Sequence, residues 1–130
     1  MTNKPRFQLI DAAGETVRWR LLGGNNLSLG SGSIAYQTSG DCLAGIEFLR
    51  ANLDSLEIEF SHDSGSRWRW MLYSGAELVA VASHFYGRRI EAQHALDRFR
   101  AAVPGVVETG DHGRVADWRS KQSKDQRKTS

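Results

Sequence analysis

Near its start the chain alternates: Phe7, Leu9 and Asp11 are interleaved with Gln8 and Ile10, and the run stops at Ala12-Ala13-Gly14. Alternation with period two predicts a strand whose two faces meet different surroundings. A second alternating run, Thr16 to Leu22, places Trp19 and Leu21 on one side and Arg18, Arg20 and Leu22 on the other. Asn25-Asn26 carries a turn signal, because Asn tolerates the left-handed backbone of tight turns. Leu27 to Ser33 predicts a third strand. Thr38 or Ser39 can cap a helix over about 41–52, whose apolar stripe is Leu43, Ile46, Leu49 and Leu53.

The same order then returns. Leu56, Ile58 and Phe60 alternate with Glu57 and Glu59, and His62-Asp63-Ser64-Gly65 turns the chain. Residues 67–73 and 77–83 predict two more strands joined at Ser74-Gly75. A helix over about 88–102 follows, with Ala92, Leu96, Phe99 and Val103 on one side. Pro104-Gly105 ends it, and Val106-Val107-Glu108 predicts a short closing strand. Arg18-Trp19-Arg20 comes back as Arg67-Trp68-Arg69-Trp70, 49 residues on (67 − 18), whereas Tyr36 and Tyr86 are 50 apart. That difference predicts one extra residue, a bulge, near 82–85 in the second copy. The closing strand of the second copy matches Leu56–Ile58, so one strand is expected to close the first repeat and open the second.

Strand pairing can be set by asking which register gathers the apolar side chains on one face. In the second copy this puts Ile58 opposite Trp70 and Phe60 opposite Trp68, then Trp70 opposite Val79 and Trp68 opposite Val81. The expected core is Trp19, Leu21, Ile46, Trp68, Trp70, Leu96 and Phe99. The open face would carry Glu57, Glu59, Arg67, Arg69, Met71, Leu78, Ala80 and Ala82. In the first copy Leu9 falls opposite Leu21, Leu21 opposite Gly30, and Trp19 opposite Gly32. Gly30 and Gly32 would remove volume there and let a ring or helix come close. Arg18 and Arg20 would lie on the open face, flanked by Ser33 and Ser31, with Gln8 and Ile10 beyond.

Composition changes this picture only at the end of the chain. With 130 residues, 40% hydrophobic and 25% charged, one soluble domain is expected, over about 1–111 with repeats near 6–55 and 56–108. Residues 1–111 carry 11 Lys and Arg against 13 Asp and Glu, while 112–130 carry six against two. The basic pI of 8.9 thus belongs to a polar tail, expected to be disordered, and does not by itself argue for nucleic acid. No apolar run approaches the ~20 residues that span a bilayer. With no signal-like start and a single cysteine, a cytoplasmic protein without membrane attachment is expected, and because one chain already holds both repeats, a monomer.

The repeated motif resembles the YegP family of small bacterial and archaeal proteins. The resemblance rests on Phe7, Leu9, Asp11, Gly14, Arg18-Trp19-Arg20-Leu21, Asn25, Tyr36, Ile46 and Leu49. In the second copy it rests on Leu56, Ile58, Asp63, Arg67-Trp68-Arg69-Trp70, Ser74-Gly75, Tyr86, Leu96 and Phe99. It implies an α+β fold. Two tandem β-β-β-α-β units would form one mainly antiparallel sheet, with exchanged closing strands and two helices on one face. The chain departs from the pattern at Asn26, at Gly30-Ser31-Gly32 and at Arg88-Arg89. The resemblance carries over no activity and no catalytic residue.

The residues themselves offer one functional lead. Arg18 and Arg20, alternate residues of one strand, project from one face roughly 7 Å apart, a geometry suited to gripping a phosphate or carboxylate. Ser31 and Ser33 would flank them, and no acid is expected in their hairpin. Arg67 and Arg69, by contrast, are expected to be neutralised by Glu57 and Glu59 across the strand pair. Gly30-Ser31-Gly32-Ser33 lacks the Lys and the following helix of a phosphate loop. The four histidines have no metal-ligand spacing, Cys42 is one small side chain in a first helical turn, and no nucleophile motif occurs. Neither an enzyme nor a cofactor is expected. The reading from sequence is a binding module holding an anionic ligand or nucleic acid on the open face. The alternative is a protein-interaction module using a sheet edge or a Met71/Leu78/Ala80 patch.

Overall fold

The computed structural model describes residues 4–106. Val107 and Glu108 of the expected closing strand, and the basic tail 112–130, lie outside the described residues. Eight main elements follow in order: β1 (Arg6–Ala12), β2 (Thr16–Leu22), β3 (Ser28–Gly32), α1 (Ser39–Asn52), β4 (Glu57–His62), β5 (Trp68–Ser74), β6 (Glu77–Ala82) and α2 (Arg89–Ala102). Short 3-10 turns, Leu53–Ser55 and Val103–Gly105, end the helices. The strands make one antiparallel sheet in the order β1-β2-β3-β6-β5-β4. Each repeat contributes three strands, and the third strands, β3 and β6, meet at the centre.

The helices cover one face. Thr38 caps α1 by accepting the Asp41 N–H at 3.0 Å, and Cys42, Ile46 and Leu49 are buried beneath that helix. In α2, Glu91 accepts the Arg88 N–H at 3.2 Å, and Ala92, Ala95, Leu96 and Phe99 go inside. Opposite them, alternation buries Phe7, Leu9, Trp19, Leu21, Trp70 and Leu72 almost completely. The expected core is therefore present, except that Trp68 is only half-buried, lying against His62 at 4.5 Å between ring centres.

The expected registers need correction. Leu9 faces Trp19, not Leu21, and Phe60 faces Trp70, not Trp68. Both hairpins are displaced by two residues, a shift that leaves every side chain on its own face and so is invisible to alternation. The β2–β3 pairing stands, with Leu21 opposite Gly30. The β5–β6 pairing is displaced by an odd step, because the chain bulges between Leu72 and Tyr73 and turns one residue later than expected; Leu72 faces Ala80 and Met71 faces Val81. An odd displacement exchanges faces. Ala80 and Ala82 are buried and Val81 belongs to the open side, while Val79, left unpaired at the bulge, packs against the core. The Met71/Leu78/Ala80 patch consequently does not exist as a surface, since Ala80 has no exposure at all.

These pairings also realign the repeats. Leu9 faces Trp19 as Phe60 faces Trp70, so Trp19 corresponds to Trp70 and Arg18 to Arg69, 51 residues apart. Gly30 corresponds to Ala80, 50 apart. The extra residue thus sits in the first copy's β2–β3 turn, which is longer than the Gly75-Ala76 turn, and not near 82–85.

Gly30 and Gly32 do make the expected room. A Cβ on Gly30 would come within 2.7 Å of the Phe99 ring and 2.8 Å of Trp70, and one on Gly32 within 2.5 Å of Trp19 Nε1. The strand after α1 crosses to the other half, β4 pairing with β5 and with no other described strand. The end of the second repeat crosses back. Val106, in extended backbone but outside any strand, accepts from Arg50 Nη2 at 2.7 Å, and Arg100 approaches Asp54 at 4.0 Å.

The β4–β5 turn is built on Asp63. Its Oδ1 accepts the N–H groups of Arg67 (2.8 Å) and Gly65 (2.9 Å), and its Oδ2 meets the Arg67 guanidinium at 2.9 Å. The Arg67 backbone N–H above all, then the Arg67 guanidinium, holds the carboxyl below its ordinary 3.8. A depressed folded-state pKa contributes stability that is present above the unfolded value and lost as pH falls through the folded one. The turn should stay closed at neutral pH and loosen only below pH 3.8. In an NMR titration the Gly65 and Arg67 amide signals are expected to move with a midpoint under that value; a midpoint at or above it would contradict the assignment.

Candidate functional site

On β2, Val17, Trp19 and Leu21 are buried, so Arg18 and Arg20 are turned to the face away from the helices. Arg20 has Gln8 beside it on β1 and Ser31 on β3, and Arg18 has Ile10. Each guanidinium is anchored by a neighbour: Arg20 Nε donates to Gln8 Oε1 at 2.7 Å, and Arg18 Nη2 donates to the Gly32 carbonyl at 2.9 Å. One N–H of a five-donor fork fixes the direction of the rest.

The register of β5 adds a third arginine. Glu59 lies opposite Met71 and Glu57 opposite Tyr73, so neither faces Arg69, whose partner across the strand is Ser61. Arg67 is paired instead with Asp63. The expected neutralisation of Arg67 and Arg69 by Glu57 and Glu59 is therefore corrected by the two-residue displacement. Arg69 turns towards the middle of the sheet and lines, with Arg18 and Arg20, one groove of about 680 Å³. Its Nε is buried and has no hydrogen-bond partner among the described residues. An unsatisfied buried donor of a charged group costs stability and marks a position where a ligand or water completes the structure.

Ser31 and Val81, paired across β3 and β6, lie between the arginines, Ile10 lies beyond Arg18 on β1, and Ser28, Ser83, His84 and Phe85 also line the groove. Ser28 and Ser83 share a hydrogen bond of 2.6 Å across the β3–β6 seam. Phe85 is 42% exposed, and the guanidinium carbons of Arg67 and Arg69 lie over its ring at 4.9 and 5.2 Å. Of the expected site residues, Arg18, Arg20 and Ser31 come together. Ser33 does not line the groove: its hydroxyl donates to the Leu78 carbonyl and ties β3 to β6. The expectation of no acid in the first hairpin is also corrected, since Asp11 lines the groove's edge.

Sequence reasoning missed Arg69, Ser28, Ser83 and Phe85. Aligning the repeats on Trp70 would have matched Arg69 to Arg18. Phe85 gave a weaker sign, an aromatic residue where the first copy has Ala35. No group of three or more His, Cys, Asp or Glu among the described residues could hold a metal ion. No described helix is long and apolar enough to cross a membrane.

Neither a family model nor a curated protein matches this sequence. Solved structures similar to it include the solution NMR structure of yegP from E. coli, a protein of unknown function. That similarity covers 85% of this chain and 97% of that one, with TM-score 0.68 and 16% identity. Another is the solution NMR structure of a UPF0339 protein from Shewanella oneidensis, covering 84% of this chain and 98% of that one, with TM-score 0.66 and 11% identity. At such identities the likeness speaks for the backbone alone, and on that ground the chain has the YegP-like fold.

Proposed function

We propose that this chain is a non-enzymatic binding module that holds an anionic ligand in the groove on its open sheet face. The observation that carries the reading is the convergence of Arg18, Arg20 and Arg69 on one groove, where Asp11 is the one acid among the described residues and the Arg69 Nε is buried without a partner among them. A walled groove focuses the potential of its charges, so three arginines against one acid attract anions more strongly than the chain's modest net charge suggests. The two repeats each supply part of the lining, so a single chain completes the site and a monomer suffices.

Calorimetry and NMR titration at low ionic strength, with inorganic phosphate, pyrophosphate, nucleotides and short oligonucleotides, test the reading. At least one of these is expected to bind and to shift the Arg18, Arg20 and Ser31 amide signals. Hydrogen bonds to charged groups contribute about 1.5–3 kcal/mol each. Arg18→Ala/Arg20→Ala should therefore weaken binding by roughly 100-fold, and salt should weaken it further. Absence of heat and of shifts with every anion would end the proposal.

A further inference from the structure

We infer that the anion is a nucleotide, its phosphate held by Arg18 and Arg20 and its base against the Arg69 guanidinium supported by Phe85; this rests on the anion-binding reading above. The starting point is where the two repeats stop being alike. The pairing that matches Arg18 to Arg69 also matches Arg20 to Met71. Two arginine forks therefore stand at one pole of the groove and only one at the other. The aromatic residue is unequal in the opposite sense: Phe85 stands where the first repeat has Ala35. One pole thus holds two guanidinium forks, with Asp11 beside them in the same hairpin, and the other is planar and aromatic.

The dimensions suit a molecule with two unlike ends. Arg18 and Arg20 stand on β2 and Arg69 on β5, three strand spacings away in the order β2-β3-β6-β5, or about 14 Å between strand axes. Long side chains lean in from both ends, and between them lie Ser31 of β3 and Val81 of β6, a floor of one hydroxyl and apolar surface. A volume of about 680 Å³ is within the usual range for small-molecule sites. Inorganic phosphate would occupy the β2 pole and leave the far one unused.

The far pole is built for a flat partner. Phe85 carries the guanidinium carbons of Arg67 and Arg69 over its ring at 4.9 and 5.2 Å. Asp63 engages Arg67 from outside the groove at 2.9 Å, so Arg67 serves as a backing while Arg69 lines the cavity. A guanidinium plane held this way is a surface on which nucleobases stack, and its edge donates to base carbonyls or ring nitrogens. Arg69 lines the cavity, and the N–H groups of its two Nη atoms can supply such donors. The nucleoside phosphate could be free or one residue of a single strand; both present the same two ends.

The test compares ligands that differ only in the base, using the full chain and calorimetry. AMP and UMP are expected to bind at least about 10-fold more tightly than ribose 5-phosphate, the range of base stacking on a protein surface. Phe85→Ala installs the residue found at the equivalent place in the first repeat and removes an exposed ring, so the fold should persist, as circular dichroism would show. In that variant the advantage of AMP over ribose 5-phosphate should vanish. Ribose 5-phosphate binding as tightly as AMP, or an advantage that survives both Phe85→Ala and Arg69→Gln, would overturn the nucleotide inference and leave the anion reading standing. If no phosphate compound binds, both fall. A hexanucleotide binding far more tightly than AMP would assign the source to a single strand, and equal affinities to a free nucleotide.

Discussion

Replacing Trp70 by Ala should lower the unfolding free energy by about 3–5 kcal/mol, and replacing Trp68 should cost about a third as much. The pair is informative because the repeated motif, aligned by letters, matches Trp68 to Trp19. The strand pairing instead gives Trp70 that place, opposite Phe60 as Trp19 is opposite Leu9. Trp70 has no exposed surface and lies against the Phe99 ring at 4.6 Å between centres, whereas Trp68 is half-buried beside His62. The indole Nε1 of Trp70 has no hydrogen-bond partner among the described residues. Phe in its place would therefore lose ring volume but also remove an unsatisfied donor, which costs roughly 1–3 kcal/mol when buried. Trp70→Phe should accordingly be much milder than Trp70→Ala. Urea denaturation of the three variants measures the order. Equal losses at Trp68→Ala and Trp70→Ala would mean that alignment by motif, and not by register, describes the core.

The same comparison shows what alternation can and cannot convey. It located the strands, because Trp19 and Leu21 must be hidden while Arg18 and Arg20 need water. It located the helices, because Ile46, Leu49, Leu96 and Phe99 recur at helical spacing. It could not fix register, since a hairpin displaced by two residues hides the same side chains. In the β4–β5 hairpin the register depends on the Asp63 carboxylate closing a longer turn than the Ser64-Gly65 signal suggests. For β6 the pattern was ambiguous outright: Leu78-Val79-Ala80-Val81-Ala82 is apolar on both faces. Both valines looked like core, yet only Val79 packs against it; Ala80 and Ala82 take the buried positions and Val81 faces the groove. The candidate site inherited these errors. Arg18, Arg20 and Ser31 needed only β2 and β3, whose pairing was legible. Arg69 depended on β4–β5, where a displacement of two removed its presumed Glu59 partner and opened it to the groove.

The central seam offers the second large effect: Gly30→Val is expected to cost about 3 kcal/mol. Gly30 has no left-handed backbone to explain it, so the reason is space. An added Cβ would stand 2.7 Å from two carbons of the Phe99 ring and 2.8 Å from Trp70, and neither fully buried ring has room to retreat. Gly30→Ala should show two opposed terms. A strand gains roughly 0.5–1 kcal/mol when glycine becomes alanine, but contact this short is repulsive, and the net should still be a loss. The second repeat supplies the control. Its equivalent residue, Ala80, is fully buried and accommodated, and where α2 has Phe99 the first helix has Leu49. If the ring is what excludes a side chain from position 30, Phe99→Leu should relieve the crowding. The double variant Gly30→Ala/Phe99→Leu should then be more stable than the sum of the single losses predicts, by about 1 kcal/mol, the size of coupling found between residues in contact. Urea midpoints for the four proteins of this cycle decide the matter. Simple additivity would show that Gly30 and Phe99 do not compete for the same space, and the interlock between β3 of one repeat and α2 of the other would have to be abandoned.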